Sequence, residues 1–322
     1  MNWCRDLAEV PAFPPVTMKL LRALSEEPVD LRELADLVSA DPGLSALVMS
    51  YANSALFGGD REVSSVLEAL VRLGTDSTRE VIVTLATKVC FRTAGEVEEI
   101  ARCWRHTLAT AIIADEIARA AGRFQSQAYT AALLHDLGRL VLAAAYRDQY
   151  VKLIQKSAQK CMDLLDHETA LFGVNHTTAG CWLVQEWQLP EELRIIAGRH
   201  HDAPENLDLT LLLIVHVACL LADAIGYDVC PAPLPISFEE AVQRLPMQVD
   251  AQFLWTGESL RARVDERLKQ FAGTTEPLPK SEEVQEPEVR TETAPDAIDS
   301  NPWVLLLAVT VVGSLLVLYW PR

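Results

Sequence analysis

Apolar residues recur at helical spacing along most of the first 271 positions. Leu31, Leu34, Leu37 and Val38 form one stripe, opened by Asp30. Leu44, Leu47, Val48 and Tyr51 form another, with Pro42 in its first turn, where the missing N–H costs nothing. Ala111, Ile112, Ala114, Ile117 and Ala118 predict an Ala-rich helix able to pack closely. Val81-Ile82-Val83 is short enough for a strand, but flanking Thr78-Arg79-Glu80 and Ala86-Thr87-Lys88 favour helix. There is no hairpin turn signal, no useful period-2 alternation and no fixed-period repeat. The pattern predicts an all-α fold of roughly a dozen or more helices.

The pattern changes twice near the end. Residues 272–301 carry eight acids and four prolines, against Lys280 and Arg290, with almost no large apolar side chains. Like charges and proline favour an extended chain, because nothing offsets the entropy of ordering it, so this stretch reads as a disordered linker. Trp303 to Trp320 then runs without a charge. Eighteen residues of helix span about 27 Å, close to a hydrocarbon core of about 30 Å. Trp303, Tyr319 and Trp320 mark its two ends, where amphipathic rings favour the membrane interface. The segment 302–320 is expected to be a single-pass tail anchor in the cytoplasmic membrane, with the globular part in the cytoplasm, since Met1 to Val10 lacks the apolar core of a secretion signal.

Composition narrows the function classes. Half the residues are apolar, enough for a sizeable core. Lys and Arg total 28 against 45 Asp and Glu, a formal charge of −17, which argues against general electrostatic binding of nucleic acid. The seven cysteines form no CxxC pair and sit mostly in apolar text, as reduced thiols of a cytosolic domain do.

All seven histidines fall between residues 106 and 216. Their centre is Leu133-Leu134-His135-Asp136-Leu137-Gly138-Arg139-Leu140, a His–Asp pair in what reads as the middle of an apolar helix. A charge buried there requires a partner or a metal. His106 lies upstream; His176, the pair His200-His201, and Asp223 on the predicted helix 211–225 lie downstream. Imidazole and carboxylate donors suit a divalent Fe, Mn or Zn ion. Such a cation polarises phosphoryl oxygens, and Arg139 could meet phosphate with its guanidinium fork. The alternative is a hydrogen-bonded His135–Asp136 pair that fixes packing. His167, between Asp166 and Glu168, reads as solvated. Asp41-Pro42, Asn53-Ser54, Phe57-Gly58 and Leu189-Pro190-Glu191-Glu192 read as helix starts and stops.

Several motifs in order resemble the HDOD domain, the HD-related output domain of bacterial signalling proteins. They are Val10-Pro11-Ala12-Phe13-Pro14-Pro15, Leu34 to Leu44, Tyr51 to Gly58, Val66 to Gly74, Trp104-Arg105-His106, Leu133 to Arg139, Phe172 to His176, Trp187 to Pro190 and His200-His201. The resemblance implies an HD-superfamily helical bundle over residues 1–228, with halves at about 10–95 and 96–228, then accessory helices over 229–271. It implies a regulatory role exercised through a protein partner, without proven phosphohydrolase activity. In catalytic HD enzymes the metal is held by a His, the His–Asp doublet and a later Asp, roles onto which His106, His135, Asp136 and Asp223 map. His176, His200 and His201 resemble the further histidines of HD-GYP cyclic di-GMP phosphodiesterases. Two departures stand out: Asp202-Ala203-Pro204 follows the His pair where Gly-Tyr-Pro would stand, and Arg139 replaces the usual lysine.

The leading expectation is thus a membrane-tethered, non-enzymatic signalling protein. Two others remain: a metal-dependent phosphohydrolase or cyclic-dinucleotide phosphodiesterase with Asp136 and Arg139 catalytic, and a metal or nucleotide sensor without turnover.

Overall fold

The computed structural model describes residues 3–272 except 9, 11–14, 25–28, 55–56, 58–61, 92–96, 126, 161–163, 203–207, 232–234, 247–248 and 250–255. The acidic stretch from 273 onward and the apolar segment 303–320 lie outside the described residues, as does most of the first proline-rich motif. Among the described residues every regular element is helical, and no helix is long and apolar enough to cross a membrane.

The first half runs α1 (Trp3–Ala8), α2 (Pro15–Ala23), α3 (Leu31–Ser39), α4 (Pro42–Ala52) and α5 (Val66–Phe91). The predicted caps form. Asp30 accepts the Arg32 N–H at 2.8 Å, and Asp41 accepts the Leu44 N–H at 3.0 Å. Asn53 ends α4 and clamps the chain beyond, accepting the Val63 N–H at 2.9 Å and donating to the Val63 carbonyl at 3.3 Å. Helices α2, α3 and α4 pack on α5, which is broken at Gly74, where φ of 75° suits a residue without Cβ. Val81, Ile82 and Val83 lie beyond that break, helical and buried.

The second half is built on α6 (Glu98–Ala121), whose buried alanines let neighbours approach. Against it pack α7 (Ala128–Leu134) and α13 (Leu211–Ala222), and to a lesser extent α8 (Leu137–Ala145) and α9 (Arg147–Lys160). Helices α10 (Leu164–Phe172), α11 (His176–Glu186) and α12 (Glu191–Arg199) complete it, and α13 ends in a π-type turn, Asp223–Tyr227. Beyond come α14 (Phe238–Val242) and α15 (Gly257–Ala272). Helix α15 folds back on α6: Arg267 donates to Asp115 at 3.0 Å and also bonds Glu80 on α5, while Arg263 pairs with Glu116 at 3.0 Å.

One expectation is corrected. The apolar run from Ala128 to Ala145 is not a single helix, and His135-Asp136 is the junction between α7 and α8. Asp136 leaves helical geometry (φ −100°, ψ 20°), and its carbonyl accepts from Arg139 N at 3.0 Å to start α8. Both halves keep buried apolar residues, so periodicity carries no trace of the break.

The junction is held by a close crossing. A Cβ on Gly138 would stand 2.0 Å from the His176 carbonyl oxygen and 2.4 Å from the Gly180 nitrogen. Main-chain atoms cannot swing aside, so only glycine lets the start of α8 touch the start of α11. That contact brings His176 beside Asp136. Gly138→Ala is therefore expected to cost about 3 kcal/mol, by forcing the two helices apart. Urea denaturation checks this, and a loss below about 0.5 kcal/mol, the scale of an ordinary surface substitution, would contradict the crossing.

Candidate metal centre

Each histidine of the centre is positioned by its own helix end or face. His176 opens α11 behind Asn175, whose side chain accepts the Thr178 N–H at 2.9 Å. His200 closes α12, His106 lies on α6, and His135 closes α7. All four are buried, and each turns Nδ1 away from the centre and Nε2 toward Asp136. Nδ1 of His106 donates to the Tyr227 carbonyl at 3.0 Å. Nδ1 of His135 donates to the Ala132 carbonyl, and that of His200 to the Ile196 and Ala197 carbonyls at 3.2 Å. Nδ1 of His176 donates to Glu168 at 2.7 Å. Carbonyls and carboxylates only accept, so Nδ1 carries a proton in each ring, and Nε2 is the atom left to face the centre.

Those four Nε2 atoms face one carboxylate. Asp136 is 0% exposed; its Oδ1 lies 3.5 Å from both His176 Nε2 and His200 Nε2. Its Oδ2 lies 3.8 Å from His135 Nε2 and 3.9 Å from His106 Nε2. Ligand atoms about 2.1 Å from a tetrahedral cation would be separated by roughly 3.4 Å, close to the 3.5 Å between Asp136 Oδ1 and the Nε2 atoms of His176 and His200. His135 Nε2, His200 Nε2 and Asp136 Oδ1 are buried without hydrogen-bond partners. Buried polar atoms left unpaired are costly, and a cation would satisfy all three. The residues present therefore fit a divalent metal. Asp136, His176, His200 and His201 bring one donor atom each within 4.8 Å of one another, and only His201 of this set is exposed.

Arg139 shares the pocket. Its Nε donates to Asp136 Oδ2 at 2.7 Å and its Nη2 to His176 Nε2 at 3.1 Å. Burial raises the Asp136 carboxyl pKa, but Arg139, with His135 and His176, outweighs it and holds the group well below the usual carboxylate range. Burial also lowers His135 and His176, which disfavours a second proton on either ring.

Asp223, expected among the ligands, stands elsewhere. Its Oδ1 is 3.2 Å from His106 Nδ1, so it steadies the ring from the side away from Asp136. The π-type turn that begins at Asp223 carries this side chain to the half-buried rim. His167 is half-buried on α10 and outside the cluster.

Three participants escape sequence reasoning. Glu168, named in the sequence only as a neighbour of His167, is fully buried and accepts from the His176 main-chain N–H at 2.8 Å as well as its ring. Tyr150 donates to the same carboxylate. Cys219 places its Sγ 3.5 Å from His106 Nε2. The signal for Glu168 was its place on the apolar face of α10, one turn before Phe172; Cys219 gave none beyond its apolar surroundings.

The buried imidazoles set a pH dependence. His135, His176 and His216 have folded-state pKa values below the ordinary imidazole value, burial being the largest cause for each. Below about pH 6.5 the unfolded chain gains protons that the folded chain resists, so stability falls as pH falls. His106 opposes this: burial disfavours its charge, but Cys219 and Asp223 outweigh burial and raise it. Burial lowers His201 as well, so four groups stand against one, and the urea midpoint of chelator-treated protein is expected to drop between pH 7.5 and 5.5. A flat or rising profile would contradict the assignment.

Known proteins place the fold in a family. The HDOD domain model matches residues 10–203. A crystal structure of an HDOD domain protein of unknown function from Geobacter sulfurreducens is 25% identical, with a TM-score of 0.65 over 83% of this chain and 93% of that one. A provisionally assigned phosphohydrolase from Shewanella amazonensis shares the fold at 22% identity, with a TM-score of 0.60 over 84% of this chain and 96% of that one. An uncharacterized protein of Treponema pallidum is 27% identical over 199 residues, and the match spans 61% of this chain but 38% of that relative's length. With the family model covering more than half of its length and the His–Asp doublet standing at the heart of an all-helical bundle, the chain belongs to the HDOD domain family.

Proposed function

We propose that this chain is a metal-binding regulatory module of bacterial signal transduction. Its HDOD domain holds a divalent Fe, Mn or Zn ion with Asp136, His176, His200 and His201, supported by His106 and His135, and acts by contact with a regulatory protein partner. The observation that carries this reading is the common orientation of four buried rings, Nδ1 donating outward and Nε2 turned toward Asp136. A purely structural ion pair would direct an imidazole N–H at Asp136 Oδ1, and that oxygen makes no hydrogen bond. The surroundings favour binding over turnover. Of the first four ligands only His201 is exposed, and Arg139 is tied to Asp136 and His176 rather than free to grip phosphate. The acidic stretch 272–301 and the segment 303–320 would tether the domain to the cytoplasmic membrane as a flexible linker and a single-pass anchor.

A second reading is a phosphohydrolase or cyclic-dinucleotide phosphodiesterase, or a nucleotide sensor using the same pocket. One feature favours it: Arg139 Nη1 is a buried donor without a partner, available to an anionic oxygen.

Elemental analysis of the full chain, purified in detergent without added metal chelator, should find Fe, Mn or Zn near stoichiometry, lost in Asp136→Ala. Metal-free protein that takes up none of the three on titration refutes the proposal. Hydrolysis of a phosphodiester panel, abolished in His135→Ala, would instead put the enzymatic reading first. Removing 302–322 should move the protein from the membrane to the soluble fraction; unchanged fractionation refutes the anchor.

Glu168→Gln offers a finer measurement. It keeps the shape but removes the charge that orients His176, so metal affinity should fall by about 10- to 100-fold. Unchanged affinity in a competitive chelator titration would remove Glu168 from the centre.

A further inference from the structure

The donors around Asp136 fall into two groups of unlike chemistry. Asp136, His176, His200 and His201 offer one oxygen and three nitrogens. On the other side, His106, His135 and Cys219 bring two nitrogens and a sulfur within 4.8 Å of one another. All three residues of the second group are buried, and Cys219 is 3% exposed. Its Sγ lies 3.5 Å from His106 Nε2, on the far side of a ring whose Nδ1 is held by the Tyr227 carbonyl. His135 Nε2 points into the same space, is buried, and has no hydrogen-bond partner. The ring centroids of His106 and His135 are 5.5 Å apart.

Burial alone does not make a cysteine a ligand, since thiols commonly fill cores as small apolar groups. Cys103 shows the ordinary outcome in this chain. It is fully buried, and its Sγ donates to the Glu99 carbonyl on its own helix at 3.3 Å. Cys219 faces an imidazole Nε2 contributed by a different helix, beside a second imidazole whose Nε2 is left unpaired. A thiol there has the ring nitrogens of two histidines beside it.

We infer that His106, His135 and Cys219 form a second, sulfur-containing cation subsite selective for thiophilic divalent ions that accept tetrahedral coordination, such as Zn²⁺ or Co²⁺. This rests on the metal-binding reading above and deepens it. Thiolate prefers Zn²⁺ and Co²⁺ over Mn²⁺ and excludes Mg²⁺ and Ca²⁺, whereas the Asp136–His176–His200–His201 set accepts Mn²⁺. The domain therefore discriminates between metals on the two sides of one carboxylate.

The test is anaerobic titration of full-length, metal-stripped protein in detergent with Co²⁺, followed by absorption. A sulfur-to-cobalt charge-transfer band should grow in the near ultraviolet, persist in His201→Ala, and vanish in Cys219→Ser together with about one bound equivalent. Zn²⁺ should displace the band and Mn²⁺ should not. Cobalt that binds without such a band, or a band that survives in Cys219→Ser, overturns the sulfur subsite while leaving the metal-binding reading intact. Failure to bind Co²⁺, Zn²⁺ or Mn²⁺ overturns both. Should Cys219→Ser not fold, X-ray absorption of the Zn-loaded wild type decides: a sulfur shell at about 2.3 Å is required, and its absence refutes the subsite.

Discussion

A carboxylate with no exposure to solvent sits at the centre of this fold. Leaving Asp136 charged and unpaired would cost far more than the stability of a typical domain can absorb. The surrounding architecture answers that constraint. Arg139 supplies a positive charge at 2.7 Å, and four imidazoles from α6, α7, α11 and α12 close around the oxygens. None of these helices could shift without reopening the solvation problem, so the polar centre fixes their relative positions more strictly than apolar packing would.

The constraint propagates outward through the atoms that hold the rings. His106 is anchored to the Tyr227 carbonyl, and the Tyr227 hydroxyl donates to Asp265 on α15. Arg261 on the same helix donates to the Ile225 carbonyl at 2.9 Å, within the π-type turn. The helix most remote in sequence thus braces the turn that orients a candidate ligand. On the opposite flank, Tyr150 and Glu168 brace His176. Tyr227 thus joins α15 to the centre, its hydroxyl bonded to Asp265 and its carbonyl to His106.

What could be read in the sequence follows from what local pattern encodes. Helical periodicity and capping residues such as Asp30 and Asp41 act within a few positions, and those elements appear as expected. The crowding of histidines between 106 and 216 signalled a shared centre because scattered structural residues have no reason to cluster. The break at His135-Asp136 was invisible, since both α7 and α8 keep buried apolar residues across it. Glu168 and Cys219 were missed for a different reason: their roles exist only where α10 meets α11 and α13 meets α6. Gly138 matters through a main-chain contact 38 positions away at His176, which no local window registers.

Arg139 bears on how such a centre would behave as a sensor. A compact ammonium would leave part of the Asp136 charge to be satisfied by a metal, whereas the guanidinium fork reaches Asp136 and His176 together. The metal-free fold is then already neutralised at its core, so cation binding need not be a condition of folding, unlike in domains that collapse without their ion. A cation entering among the Nε2 atoms would compete with Arg139 for Asp136 Oδ2 and His176 Nε2. Occupancy would thus be coupled to the position of a buried side chain on α8, whose start is locked against α11 by Gly138. If the domain acts by contact with a partner, as proposed, that coupling would turn metal availability into a difference in helix packing, because the ligand contributes free energy to one arrangement and not the other.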